Sequence, residues 1–261
     1  MSWAAIHPTA VISPKAQIAA DVRIGPYVVV EGPCEIGPGV EIGAHSVVHP
    51  YVRLAAGVQV GPHVVLGGAP QDLGYRGQET WLEVGPNTVL REGVVLHRST
   101  REDRPTRIGA GCYLMGHVHV GHDVWVGDGV ILTQGVGLAG HVEVGDYAVI
   151  GGMAGVHQFT RIGARAMVGA MAKVTRDVLP FSLVEGSPAL HYRLNTVGLR
   201  RAGITGERYR ALEQAFRALR EGKPLDDLPD TEEVRVFKAF LEAPSRRGLS
   251  GFVRGGARHD D

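Results

Sequence analysis

The chain has 261 residues, and its 27 Lys+Arg balance 27 Asp+Glu to give zero formal net charge, so no overall field draws it to nucleic acid or anionic lipid. No apolar run approaches ~20 residues, which excludes a helical membrane span, and MSWAAIHPTAVISPK has neither the basic nor the apolar region of a signal peptide. A soluble cytoplasmic protein is expected, with 37 glycines serving tight corners and two cysteines, 78 positions apart, giving no disulfide framework.

The first predicted elements come from a period of six. Ile6, Ile12, Ile18, Ile24, Val30, Ile36, Ile42, Val48, Leu54, Val60 and Leu66 are all aliphatic. Residues 67–83, GGAPQDLGYRGQETWLE, then keep the phase across a polar stretch and read as a loop pushed out of one coil. Val84, Leu90 and Leu96 resume the row, 97–107 (HRSTREDRPTR) is a shorter loop, and Ile108 to Val174 run without a break. Of the 29 multiples of six up to 174, only Asp72, Gln78 and Glu102 fail, so chance is excluded. A second row two residues earlier is small: Ala10, Ala16, Val22, Val28, Cys34, Val40, and later Cys112, Val118, Val124 and Val130. Positions two apart on a strand share a face, so both rows point inward. Gly25, Gly43, Gly61, Gly85, Gly121 and others follow the aliphatic row, as a glycine-assisted corner requires. Period six with such corners predicts a mainly β fold, a parallel β-helix of hexapeptide repeats, and its similarity to families with this pattern implies the left-handed form with three hexads to a coil. Three hexads per coil give about ten coils, ~45–50 Å long at ordinary strand spacing.

The rule ends after Val178-Leu179-Pro180. From about Asn195 the apolar spacing becomes helical, through Tyr209, Leu212, Ala215, Phe216 and Leu219, then Val234, Phe237, Ala239, Phe240 and Leu241. Thr205 and Asp230 are candidate N-caps, and 244–261, with little periodicity, reads as a loose tail. Two domains are expected: 1–185, the β-helix with its loops, and 186–261, a C-terminal α-helical domain. Coils that fill their own interior make no deep pocket, so function needs a groove between copies. The fold class points to a homotrimer.

LMGHVHVGHDVWVG, residues 114–127, carries the chemistry. Val118 and Val120 face inward, so His117 and His119 face outward and His122 sits at a corner. His141 and His157 follow at intervals near the eighteen-residue coil, and His97 precedes the shorter loop, so the imidazoles form a column beside Asp123 and Gln158. Metal binding is one reading, because His117 and His122 have the His-x4-His spacing of γ-class carbonic anhydrases, which share this fold. Zinc wants a third protein ligand near 2.1 Å, and positions 99 and 81, where a histidine would stand, are Ser and Trp; no metal is expected. General-base catalysis is the other, with a neutral His122 beside Asp123 taking a proton from an alcohol and the Gly140 N–H holding an oxyanion. Cys34 and Cys112 lie in the small inward row and are expected to be inert core.

MGHVHVGHDVWVG, LAGHVEVGDYAVIGG and VHQFTRIGARAMVG, with APQDL at 69–73, LHR at 96–98 and LNTVGLRRAGI at 194–204, resemble the UDP-N-acetylglucosamine O-acyltransferases of lipid A synthesis. The likeness covers nearly the whole chain. It implies transfer of a (3-hydroxy)acyl chain from the thioester of acyl carrier protein to the sugar 3-hydroxyl, the first step of that pathway. No cofactor is implied beyond the phosphopantetheine of the carrier, and no stable membrane insertion. His122 would be the base, Asp123 its orienting partner and Gly140 the oxyanion donor. Asp72, His97, His119, His141, His157, Gln158, Asn195 and Arg201 match positions that contact nucleotide sugar or acyl donor. Arg200, Arg201, Arg208 and Arg217 would receive the acidic carrier.

In this family one residue at the end of the acyl groove sets chain length, and the matching position is Ala170, beside Met167 and Met171. Its size predicts a medium chain of about ten to twelve carbons. Three positions depart from the pattern, all at the nucleotide end: Gly74 replaces a lysine, Ala202 an arginine and Val197 an acid. With four lysines against 23 arginines, Arg76 or Arg98 could take over phosphate pairing, or the acceptor is a related UDP-amino sugar. A γ-carbonic-anhydrase-like metalloenzyme and a hexapeptide scaffold with a decayed site are the remaining alternatives.

Overall fold

The computed structural model describes residues 5–253. Strands of two or three residues recur every eighteen positions and stack in parallel, Val11 pairing with Val29 and Ile12 with Val30, then Val29 with Val47. They build three sheets of nine, eight and ten strands. The first runs from Val11–Ile12 to Lys173–Val174, the second from Ala16–Ile18 to Arg161–Ile162, and the third from Arg23–Ile24 to Met167–Val168 plus a terminal hairpin. Both inward rows are buried: Leu66, Leu90, Leu96, Leu114, Leu132 and Leu138 are fully inaccessible, and so are Val118, Val124 and Val130. The three walls close on one another, as period six demands. Burial raises the thiol of Cys34 to about 11 and that of Cys112 above its ordinary value, which leaves both unreactive.

The glycines after the aliphatic row do a different job from the expected one. A Cβ on Gly85 would stand 2.6 Å from the backbone carbon of Gly109 one coil on, and one on Gly43 2.6 Å from that of Gly61. They permit close backbone approach. The left-handed corner conformation falls two residues later, at Asp123 (φ 60) and His141 (φ 61) among others, and non-glycine side chains accept it there because the stacked coil fixes it.

The two loops keep the phase. Leu82 pairs with Val52 and Thr106 with Leu82, so the extruded segments are shorter than expected, 69–81 and 98–105, and the sheet continues across them with one register shift at Leu66/Gly68. Strands Ser182–Gly186 and Ala189–Leu194 form an antiparallel hairpin whose first strand extends the third sheet beside Met167–Val168. The boundary drawn at 185/186 falls inside this hairpin. Three helices follow, α1 (Thr196–Arg201), α2 (Gly206–Arg220) and α3 (Glu232–Glu242). Their apolar faces close a separate core with Leu179 and Phe181 of the last coil, using Leu199, Leu212, Phe216, Val234 and Phe237. Thr205 caps α2 as expected, although its side chain makes no cap bond. Asp230 is not a cap: Thr231 caps α3, accepting from Val234 N, while Asp230 pairs with Arg235 at 2.9 Å. The tail is not loose as far as 253, since Leu249 bridges Asp177 and Phe252 bridges His191; its continuation lies outside the described residues. Among the described residues no helix is long and apolar enough to cross a membrane.

Candidate functional site

The corner between the first and second sheets carries the histidine cluster. Asp123, His141 and Phe159 occupy the same left-handed position in successive coils. The His141 ring lies edge-on to His122 at 5.2 Å and stacks on Phe159 at 4.6 Å. The column therefore continues through Phe159, and His157 stands beside it, exposed, its Nδ1 3.2 Å from the Gln158 carbonyl. His97 and His119 form a second pair, with ring centroids 5.2 Å apart.

The imidazole of His122 is oriented from one side. Its Nδ1 donates to Asp123 Oδ2 at 2.6 Å, which assigns the remaining nitrogen, Nε2, as the acceptor. Asp123 is 4% exposed. Burial raises its pKa, but hydrogen bonds from His122, Ser99 and Thr100 outweigh that and hold the carboxyl well below the usual carboxylate range. It is ionised at neutral pH. Burial lowers the pKa of His141 and also that of His119, so both are neutral imidazoles near pH 7. On the far side of His122, Asp72 from the longer loop brings Oδ2 to 4.0 Å of Nε2. Gly74 N donates to Asp72 Oδ1 at 2.6 Å and fixes that carboxylate, and a Cβ at 74 would stand only 2.9 Å from Oδ1. The departure at Gly74 therefore serves the loop that presents Asp72.

Gly140 lies one coil on. A Cβ there would meet His122 Cε1 at 2.6 Å, and one on Gly121 would come within 3.0 Å of Gly140 N. Both glycines keep this N–H open, and it donates to no acceptor among the described residues. A surface groove of ≈590 Å³ runs past it, lined by His119, His122, Gly140, His157, Gln158 and Lys173 among others. Gly137 and Gly155, the outward positions between His119 and Lys173, leave its floor bare. His97 donates through Nδ1 to Ala69 O at 2.9 Å, while its buried Nε2 has no partner among the described residues.

Other expected site residues lie elsewhere in the same chain. Asn195 caps α1 through Oδ1 and donates through Nδ2 to Arg165 O at 3.0 Å, which places it at the corner between the second and third sheets. Arg201 ends α1 beside its C-cap, Ala202. Ala170 lies at the third corner, next to Met171, and Met167 on the third sheet's outer face. The Arg98 guanidinium donates to Gly67 O and Tyr75 OH, pinning the longer loop. Arg76 likewise binds the Leu73 carbonyl within that loop, and Arg208 pairs with Glu233. His117 occupies a different corner from His122, so the His-x4-His spacing does not converge within the chain. His122, Asp123 and His141 do place one donor atom each within 4.8 Å of one another, but Asp123 has both oxygens committed to hydroxyl, amide and imidazole donors, which suits a fixed carboxylate better than a metal ligand. Ser99, Thr100 and Thr106, which hold Asp123, carry no sequence signal except their place in the shorter loop.

Residues 177–250 match the second domain of the UDP-N-acetylglucosamine O-acyltransferases, and 15–49 and 105–140 match the hexapeptide repeats of bacterial transferases. The acyl-[acyl-carrier-protein]--UDP-N-acetylglucosamine O-acyltransferase of Sulfurihydrogenibium sp. is 49% identical over 255 residues, 94% of each chain. Its counterpart from Cupriavidus taiwanensis is 50% identical over 253, 95% of this chain and 94% of that one. The crystal structure of UDP-N-acetylglucosamine O-acyltransferase from Moraxella catarrhalis superposes with a TM-score of 0.83 at 33% identity, covering 95% of this chain and all of that one. With the same coils, the same helical end and near-complete coverage, this chain belongs to the UDP-N-acetylglucosamine O-acyltransferase family.

Proposed function

We propose that the protein transfers a (3-hydroxy)acyl chain from acyl carrier protein to the 3-hydroxyl of UDP-N-acetylglucosamine, opening lipid A synthesis. The observation that carries this reading is an imidazole with one nitrogen bound to a buried carboxylate at 2.6 Å and the other facing a groove. Nε2 of His122 takes the hydroxyl proton as the sugar oxygen attacks the thioester carbon. The carbonyl oxygen becomes an oxyanion, which the Gly140 N–H receives. The C–S bond then breaks, and the imidazolium returns its proton to the departing thiolate. A base so placed supplies roughly 10²–10⁴ in rate, and an oxyanion donor about 10²–10³. His119, His157 and Gln158 line the same groove, Asp72 stands 4.0 Å from His122 Nε2 and His97 packs on His119, and these would contact the substrates. None of these steps needs a cofactor.

The active unit is a homotrimer, with each groove completed by a neighbour. Outward residues of the second sheet are Gln17, Glu35, Arg53, Glu83, Arg107, Trp125, Glu143 and Arg161, a mostly charged face whose one aromatic, Trp125, is covered by the guanidinium groups of Arg104 and Arg107. Those of the third sheet are polar in the first coils (Arg23, Glu41, Gln59) and then apolar (Val89, Tyr113, Ile131, Val149, Met167, Leu183), while those of the first are apolar at the start (Val11, Val29, Val47, Val65, Val95) and give way to His119, Gly137, Gly155 and Lys173 at the groove. Two apolar faces on a rod with a filled interior call for a partner. Asn195, Arg201, Ala170 and Met167, remote from His122 in one chain, would reach the groove from the adjacent copy, and Arg217 on α2 would help receive the acidic carrier.

The test is an acyl-transfer assay pairing UDP-sugars with carrier protein loaded with chains of different length. Transfer to UDP-N-acetylglucosamine, best with about ten to twelve carbons given the size of Ala170, is expected. A related UDP-amino sugar is the second acceptor to assay, because position 74 lacks the cation of the family pattern and Arg76 and Arg98 are engaged within the loop. Absence of transfer from every acyl carrier to either sugar would overturn the proposal.

A further inference from the structure

Residues 98–106 of the shorter loop do not line the groove beside His122, yet the first of them are built around Asp123. We infer that Ser99 and Thr100 are positioning residues for the reaction: they lock the Asp123 carboxylate so that it orients His122 and nothing else. The inference rests on the reading of His122 as the base.

Ser99 is fully buried, and its hydroxyl donates to Asp123 Oδ1 at 2.6 Å. Thr100 adds its N–H to the same oxygen at 3.2 Å and its hydroxyl to Oδ2 at 2.8 Å. With the His122 Nδ1–H at 2.6 Å, four donors meet a carboxylate with about four lone-pair sites. Ser99 Oγ in turn accepts from Arg101 N at 2.9 Å, so its hydrogen must point to Asp123. The backbone of Asp123 is held as well, its N–H reaching Thr106 Oγ1 at 2.8 Å at the other end of the loop. Both ends are drawn together on one acceptor, because Ser99 N and Thr106 N donate to the Trp81 carbonyl at 3.2 and 3.0 Å. Trp81 closes the longer loop, which presents Asp72. The two insertions therefore form one device around the imidazole.

A competing partner makes the lock necessary. His141 Nε2 stands 3.7 Å from Asp123 Oδ2, near enough that a carboxylate free to swing would divide itself between two imidazoles. His122 would then lose its fixed tautomer and sample the form in which Nε2 carries the proton and cannot act as a base. A serine and a threonine suit this task because a neutral hydroxyl donates to the carboxylate without cancelling the charge that His122 needs.

The experiment compares Ser99→Ala/Thr100→Val, Thr100→Val alone, Thr100→Ser and His122→Ala, all in the full chain. In steady-state transfer, kcat of the double variant is expected to fall about tenfold or more, with KM for the nucleotide sugar within about twofold. Thr100→Ser, which keeps the hydroxyl, should stay near wild type. Nitrogen NMR of histidine-labelled protein supplies a readout that needs no turnover: His122 should show a protonated Nδ1 in the wild type and a mixed tautomer in the double variant. Should the double variant fail to fold, Thr100→Val, which alters only the partly exposed member, is expected to move kcat and the His122 signal the same way by a smaller factor. Unchanged kcat and an unchanged His122 signal in variants that fold would overturn the inference, while an active His122→Ala would overturn the base reading beneath it.

Discussion

Asp72 Oδ2 stands 4.0 Å from His122 Nε2, across fifty positions of chain. With Asp123 on Nδ1, the imidazole lies between two carboxylates of unlike kind, one buried and anchored, the other 40% exposed and beyond hydrogen-bond reach. A gap of this size admits a hydroxyl that touches both Nε2 and Asp72. Asp72→Ala should therefore lower kcat/KM for the sugar about tenfold or more while leaving thermal unfolding unchanged, since among the described residues the side chain's other bond is local, to Gly74 N. Steady-state kinetics with wild-type values would remove Asp72 from the site.

Gly140→Ala is the sharpest steric test. The added methyl would sit 2.6 Å from His122 Cε1 and 2.7 Å from Nε2, so the ring must move off its groove-facing position. The N–H itself survives. Loss of about 10² or more in kcat is expected, with little change in melting temperature because the added methyl meets the His122 ring and not the backbone of a neighbouring coil. A folded variant that turns over normally would show that the ring and this corner are not coupled.

The coils were legible because their interior has only one composition: each wall must present an aliphatic side chain every six residues, and 26 of 29 positions do. His122 and Asp123 were legible because they adjoin. Ser99 and Thr100 were not, since 24 and 23 positions separate them from Asp123 and a loop serine is unremarkable by itself. The apolar outer columns were hidden for another reason. Tyr113, Ile131, Val149 and Met167 recur every eighteen residues, a period visible only once the chain is wound into coils. The terminal hairpin escaped because Ala189–Leu194 leaves the six-residue rows and its inward alternation breaks at Tyr192 and Arg193, both exposed. Asp230 was a reasonable cap by residue type and lost to Thr231 by one position, within the ordinary spread of helix ends.

Ile131 occupies the middle of the third sheet's apolar column, half-buried in the single chain. Ile131→Glu places an uncompensated charge where the neighbouring copy is proposed to pack, which costs several kcal/mol per contact. Dissociation of the trimer is expected by sedimentation, with transfer activity lost in parallel because half of each site departs. A fully active trimer would move the interface to another face.

His191 should make the C-terminal end acid-labile. It is 1% exposed and joins three segments: its Nε2 accepts from Leu179 N at 3.0 Å at the end of the coils, and Nδ1 donates to the Ser250 carbonyl at 3.1 Å in the tail. Protonation would turn Nε2 into a donor facing the Leu179 N–H. Burial accordingly pushes the pKa from 6.5 down to about 4, although its backbone acceptors partly oppose this. With the folded value depressed, the unfolded chain binds the proton first. Stability is therefore complete above about pH 6.5 and is lost as pH falls toward 4, by about 3 kcal/mol from this group. His141 and His119, also lowered by burial, add to the same slope. His191→Phe should be less stable at pH 7 by about 1–3 kcal/mol, because Leu179 N–H loses its acceptor, yet its stability should fall less steeply between pH 6.5 and 4. Denaturant unfolding at half-unit pH steps distinguishes the cases: parallel curves for wild type and variant would show that His191 does not set the acid limit.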